Sequence, residues 1–345
     1  MNHLKSPQRG LISVFLVCTL LLLSSCGKAD KLNNNSQTGS SNTENKQSHK
    51  LTIMLDWYPN AVHSFLYAAQ QQGFFQEEGL DVEIKMPADS NDALKLVAAN
   101  QIDLALSYQP QVLMARGEKI PVRSIAAIVR HPLNHLMVPQ AGSIHSPKEL
   151  AGKKIGYSSI PLYEAMIRTM IQSDGGDPSS AKLIDVGFDL IPAISTGQVD
   201  AIMGGFINHE QLILEKEGHS VTSLNPTDYG VPDYYELVLV ASEQGLQNSE
   251  AYFKKFLNAI TKGQEFVEQN PEQALDLLVA HEDATSPLDK EIEKKSLEIL
   301  LPLMNAGDQS FGYQDPTSWE KVQVWLSTND LLPEDIKAQE AFINL

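Results

Sequence analysis

LTIMLDWYPNAVHSFLYAAQQQGFFQEEGLDVEI, residues 51–84, is the stretch on which the fold turns. Residues 51–55 form a short apolar run of strand character. Val62, Phe65, Leu66 and Ala69 then recur at i, i+3, i+4 and i+7, the spacing of one helical face, and this helix is expected to stop near Gly79. Residues 81–84 alternate polar and apolar, as a half-buried strand does. Further on, a helix over 91–99 leads into a strand over 102–106. This rhythm of strand, helix, strand, helix, strand implies a mainly parallel sheet with helices on its faces.

The rhythm restarts after Pro147. Residues 154–157 read as a strand, and Tyr163, Met166, Ile167, Met170 and Ile171 mark a helix ended by Gly175 and Gly176. Further strands follow over 183–186 and 199–203. A short echo links the halves: NQIDLA at 100–105 matches GQVDAI at 197–202 in character, each following an amphipathic helix and opening a strand. The run YYELVLVA, 234–241, would return the chain to the first half. Beyond it Phe253, Phe256, Leu257 and Ile260 share one helical face, and helices are expected over 272–281, 289–305 and 317–327. The fold class is therefore α/β and two-lobed, each lobe a mainly parallel sheet flanked by helices. Lobe 1 comprises residues 51–140 plus 235–345, lobe 2 residues 141–234, and a cleft lies between them.

The beginning of the chain carries an address. Lys5 and Arg9 precede an apolar run over 11–23, and LSSC follows at 23–26. A basic start, a short apolar core and small residues before a cleavage point make a signal peptide, residues 1–25. The cysteine resembles the acceptor of a bacterial lipobox, so Cys26 is the expected lipidation site and the anchor to the extracytoplasmic face of the membrane. Residues 26–50, crowded with Asn, Ser, Gln and Lys, form a flexible tether that cannot bury enough surface to fold. Cys18 leaves with the signal, so the mature domain has no thiol for a disulfide, a metal or a nucleophile. The net charge is −17, and both Lys5 and Arg9 lie in the signal. Such a surface repels nucleic acid and anionic headgroups.

In open α/β sheets ligands bind beyond the carboxyl ends of the strands. Four loops deserve inspection on that ground. The first holds Asp56, Trp57, Asn60 and His63; Trp57 is the only tryptophan before position 319. The plainer alternative is that Asn60 caps the following helix and Trp57 folds onto its own lobe. Tyr108 follows the strand over 102–106 at the same rim. Ser158 and Glu164 follow the strand over 154–157; Ser158 or Ser159 would cap the helix there, and Glu164 already answers its dipole. Gly204 and Gly205 then lead to Phe206 and Asn208, either as cleft lining or as an ordinary strand-to-helix turn. No nucleophile elbow, HExxH or phosphate-binding glycine loop is present, and the histidines are scattered without metal-ligand spacing. Neither a catalytic residue, a cofactor nor a metal is expected.

The segments at 55–63, 73–82, 204–208 and 311–315 together resemble the thiamine-pyrimidine-precursor (formylaminopyrimidine) binding lipoproteins of ABC transporters, of ThiY type. These belong to the wider fungal pyrimidine-synthase-like branch of type II periplasmic binding proteins. The resemblance covers essentially everything from Leu51 onward. Residues 73–82 are generic to the wider class, whereas Asp56, Trp57, Pro59, Asn60 and His63 are more specific to the pyrimidine branch. The resemblance implies a monomeric receptor that delivers a formylated aminomethyl-aminopyrimidine to a permease with its ATPase, for thiamine salvage. Trp57 with Tyr108 or Tyr234 would sandwich the ring, and Asp56, Asn60 or Glu164 would meet its amino edge. Three alternatives stand beside it. A receptor for a sulfonate or small anion would want Arg or Lys in the four loops, which contain none. A pyrimidine-forming enzyme on the same fold would carry a cysteine-rich iron-binding motif. A surface adhesin is the third.

Overall fold

The structure, a computed structural model, describes residues 48–88, 92–282, 287–333 and 335–345. The expected signal peptide, Cys26 and most of the tether lie outside the described residues. The tether was expected to run to residue 50, but strand β1 already spans His49–Met54. Its first two residues pair with Leu80 and Asp81, and the His49 ring stacks on Tyr252 at 3.5 Å. Backbone pairing and one aromatic contact thus order a start that is not apolar.

Two five-stranded sheets carry the chain. The first contains β1, β2 (Leu80–Lys85), β3 (Leu104–Ser107), β4 (Val122–Val129) and β10 (Leu237–Ser242), in the order β2-β1-β3-β10-β4. The second contains β5 (Asn134–Pro139), β6 (Lys154–Tyr157), β7 (Lys182–Asp185), β8 (Ala201–Phe206) and β9 (Val221–Leu224), in the order β7-β6-β8-β5-β9. The two orders are the same pattern. In each, three parallel strands are followed by one antiparallel strand and then the last. The antiparallel strand is the one contributed by chain arriving from the other sheet, β10 in the first and β5 in the second. The sheets are therefore mixed, and the expected boundary at residue 140 falls too late. Asn134–Pro139 pairs with β8 and β9, so the chain has already crossed before Asn134.

Helices cover both sheets. Those of the first half are α1 (Ser64–Gln71), α2 (Phe74–Glu77), α3 (Ala93–Ala98) and α4 (Gln109–Gly117). The second half adds α5 (Pro161–Ser173), α6 (Leu190–Ser195) and α7 (Glu210–Lys216). The helix after β1 does not persist to Gly79: Gly73, at φ +80°, breaks it into α1 and α2. A C-terminal block of α8 (Glu243–Gln269), α9 (Pro271–Val279), α10 (Lys290–Met304) and α11 (Pro316–Thr328) follows. Its helix α8 packs along α1 and α2, burying Phe253, Phe256 and Ile260, as the helical spacing predicts. Among the described residues no helix is long and apolar enough to cross a membrane.

Candidate functional site

A cavity lies where the carboxyl ends of β1, β3, β6 and β8 converge, the position the topology of open α/β sheets dictates. Trp57, Asn60 and Tyr108 line it from the first sheet, and Ser158, Tyr163, Gly204, Phe206, His209 and Glu210 from the second. The centre of a water-sized sphere can occupy only about 10 Å³ of it, room for roughly one water. The walls meet because aromatic rings bridge them. Trp57 packs against Phe188 with ring centroids 4.3 Å apart, and Tyr108 meets Phe206 edge-on at 6.3 Å.

The first wall is a loop whose polar groups satisfy one another. His63, fully buried, sits 2.9 Å from Asp56 through Nε2, while its Nδ1 accepts the Asn60 N–H at 3.2 Å. Since Nδ1 accepts, Nε2 carries the hydrogen that Asp56 receives. The Tyr108 hydroxyl donates to the other Asp56 oxygen at 3.1 Å. Burial, reinforced by Asp56, pushes the Tyr108 phenol well above its ordinary range, so it stays a donor. Asn60 caps the 3-10 turn Ala61–His63 by accepting from the Val62 N–H at 3.0 Å, and it donates to the Tyr58 carbonyl. Deleting one partner from such a buried set leaves another unpaired, at about 1–3 kcal/mol.

The second wall carries the charge. Glu210, 6% exposed, accepts from the Phe206 N–H at 2.8 Å and pairs with His209 Nδ1 at 3.0 Å. Burial opposes ionisation of Glu210, but the His209 charge and hydrogen bond outweigh it, and its pKa is lowered. Burial likewise opposes the His209 charge; Glu210 and then Glu293 overcome it, and that pKa is raised. The wall therefore favours the charged pair, an imidazolium beside a carboxylate. Gly204 gives it shape. At φ +106° this residue sits in a conformation side chains avoid, and a Cβ there would meet Ser158 Oγ at 2.8 Å and Tyr163 at 3.0 Å. Its N–H donates to Asn134 at 2.7 Å.

Of the ten candidate binding residues, Trp57, Asn60, Tyr108, Ser158 and Phe206 stand together on the cavity. The other five stand off it, each for a stated reason. Asp56 and His63 are spent on the loop's internal network. Glu164 accepts from the Tyr157 hydroxyl at 2.7 Å rather than facing the cleft. Asn208 donates to Ser296 at 3.0 Å on α10. Tyr234 is buried, donates at 3.1 Å to Glu236 and does not line the cavity beside Trp57. Neither serine caps α5, whose N-cap is Ile160. Gly204 and Gly205 belong to β8 and not to a turn. Tyr163, His209, Glu210 and Phe188 were not singled out. Tyr163 belongs to an apolar helical face and His209 to scattered histidines, which hid them; Glu210 directly follows the glycine segment and was within reach.

The fold is that of a type II periplasmic binding protein. The chain superposes on the alkanesulfonate-binding protein SsuA from Xanthomonas axonopodis pv. citri bound to MOPS, with a TM-score of 0.69 at 13% identity, over 87% of this chain and 99% of that one. Within that fold the family is also clear. The NMT1/THI5 like family model matches residues 60–274, and the chain belongs to that family. It is 42% identical to the formylaminopyrimidine-binding protein of Halalkalibacterium halodurans over 96% of this chain and 98% of that one. It is 25% identical to a 4-amino-5-hydroxymethyl-2-methylpyrimidine phosphate synthase of Legionella pneumophila, over 86% of this chain and 91% of that one.

Proposed function

We propose that the chain is the extracytoplasmic receptor of an ABC importer and captures a formylated aminopyrimidine for thiamine salvage. The observation that carries this reading is one cavity combining aromatic walls with an ionised carboxylate. Trp57, Tyr108 and Phe206 offer faces and edges for a flat ring, and Glu210 offers an acceptor to an amino group or a protonated ring nitrogen. The relative from Halalkalibacterium halodurans supports the ligand class, being similar over nearly the whole length of both chains. A sulfonate fits less well: Glu210 would face an anion, and no Arg or Lys lines the cavity among the described residues. A pyrimidine-forming enzyme fits less well too, since the domain beyond Cys26 has no cysteine. Cys26 would carry the lipid that holds the receptor beside its permease, which reads the closed form of the two lobes.

Isothermal titration of the purified domain tests the reading. Formylaminopyrimidine is expected to bind with a one-to-one stoichiometry and to raise the melting temperature. Tight binding of an alkanesulfonate with none of the pyrimidine would overturn the ligand. Labelling with radioactive palmitate, lost on Cys26→Ala, checks the anchor.

A further inference from the structure

Three residues on one face of α10 reach across the cavity region. Asp289, Glu293 and Ser296 are spaced by four and then three, so they share a stripe at the start of the helix. Asp289 caps the helix and pairs with Lys216 of α7, on the second-sheet side. Glu293 accepts the Ala61 N–H at 2.7 Å, directly after the Trp57 loop of the first wall. Ser296 accepts from Asn208 at 3.0 Å, in the loop that carries His209. A single helix of the C-terminal block thus holds both cavity walls, although none of the three residues touches the cavity.

Glu293 is the member that the neighbouring network does not explain. It is 2% exposed, and the one hydrogen bond its carboxylate accepts among the described residues comes from a neutral backbone N–H. A carboxylate so placed is costly unless its charge is used. The charges that act on it are those of His209 from the second wall, His63 from the first and Asp289 on its own helix. Behind these stand Glu210, bonded to His209, and Asp56, bonded to His63.

We propose that Glu293 is a positioning residue for the binding cavity: it anchors the Trp57 loop at Ala61 and keeps His209 in the imidazolium form that orients Glu210. The charge balance supports this. Burial leaves the Glu293 pKa raised although His209 opposes the rise, and Glu293 in its ionised form in turn helps to hold the His209 proton. The proposal rests on this cavity being the ligand site, but not on which ligand enters it. With Glu293 in place, the ligand meets a wall whose acceptor is already fixed and ionised, and less ordering remains to be done on binding.

The test separates charge from contact. Glu293→Gln keeps an acceptor for the Ala61 N–H and removes the charge; Glu293→Asp keeps the charge on a shorter arm. Each is made in the full domain, with histidine-labelled protein titrated by NMR and the His209 signal assigned by its loss in His209→Gln. In Glu293→Gln the His209 midpoint should move to lower pH, and formylaminopyrimidine affinity should fall about 2–30-fold. In Glu293→Asp the midpoint should stay near that of the parent, and this variant carries the test if the glutamine variant does not fold. Ser296→Ala should weaken binding less and leave the His209 midpoint in place. An unmoved His209 midpoint in Glu293→Gln overturns the proposal whatever the ligand does. Failure of the parent protein to bind the pyrimidine overturns the ligand reading alone, because the histidine titration needs no ligand.

Discussion

The two walls of the cavity are built on sheets of the same strand order, yet they use their polar groups in opposite ways. The first wall consumes them. Asp56, His63, Asn60 and the Tyr108 hydroxyl bond chiefly to one another, and what faces the cavity is mainly the Trp57 and Tyr108 rings. The second wall leaves its charge at the surface of the cavity, with Glu210 braced by His209 and the Phe206 N–H. One topology therefore yields a rigid apolar platform on one side and a charged edge on the other. A flat, polar-edged ring calls for both together. The division also says where each wall is vulnerable: the first through its internal bonds, the second through its backbone and its charges.

The largest effect is expected from the backbone of the second wall. Gly204→Ala places a Cβ 2.8 Å from Ser158 Oγ on a residue at φ +106°. Strain there costs about 1–3 kcal/mol, and overpacking a filled site adds about 1–3 kcal/mol. Gly205→Ala, one residue on, is the control: its φ is ordinary and its nearest neighbours, Ile202 and Met137, lie at 3.3 Å on flexible side chains. Chemical denaturation should show a large loss for the first and less than about 1 kcal/mol for the second. Equal losses would mean that the positive φ is not what shapes this wall.

Next comes the point where the walls are joined. Glu236 lies at the start of the return to the first sheet and accepts from the N–H groups of Leu133 and Asn134, at the outward crossing, and from Tyr234. Burial raises its pKa to about 7, with those hydrogen bonds pulling the other way and Asp56 adding to the rise. The folded protein thus keeps a proton that the unfolded chain releases near pH 4.3. Stability should fall as pH rises from about 4.3 toward 7 and level off above, since the unfolded state binds fewer protons across that window. Glu236→Gln should remove this slope, with the gap between variant and parent growing to on the order of 2–3 kcal/mol at neutral pH. Melting curves between pH 5 and 8 check it, and parallel curves would place the titrating group elsewhere.

The contrast between the walls also marks what the residues alone could say. Strands with clean alternation or clear turn signals, such as β1, β2 and β6, were legible, and the repeated rhythm pointed to two sheets. The strands β4 and β5 were not, because VRSIAAIV and NHLMVP are buried on both faces and show no period to separate strand from helix. Missing β5 is what pushed the lobe boundary to residue 140. The cavity rims were legible because strand ends locate them. Which polar residue faces inward was not, because Asp56 and Glu210 look alike in sequence. Only their partners distinguish them: Asp56 is claimed by His63 and Tyr108, which arrive from different elements, while Glu210 keeps a place on the wall. Glu236 was inside the quoted run at 234–241 and passed as strand, since nothing local shows that two crossings converge on it.

Glu210→Gln tests the charged edge directly. The amide can still accept the Phe206 N–H but no longer neutralises His209, whose proton should then be held less firmly. A hydrogen bond to a charged group typically contributes about 1.5–3 kcal/mol, so formylaminopyrimidine affinity should drop about 10–150-fold by titration calorimetry. The parent's affinity should also fall below the pH at which Glu210 takes up a proton, a midpoint displaced below the usual carboxylate range. Unchanged binding in the variant would transfer recognition to the aromatic wall.

The smallest effect concerns that aromatic wall and Phe188, a ring that meets it from the other side. Phe188 packs on Trp57 at 4.3 Å and on Tyr58 at 5.4 Å, yet only Trp57 of the three lines the cavity. Phe188 therefore backs the indole from outside the cavity and fixes its plane. Such an aromatic contact contributes about 0.5–1.5 kcal/mol beyond burial. Tyr58 still meets the indole edge-on at 6.2 Å and should preserve part of its orientation. Phe188→Ala is accordingly expected to weaken ligand binding about 2–10-fold, through faster dissociation, since the platform must be re-ordered in each complex. Phe188→Leu should recover less than half of the loss, because it restores bulk without the ring. Tighter binding in Phe188→Ala would reverse the assignment: the ring would then cover the face of Trp57 that the ligand needs, and the wall would open by displacing it.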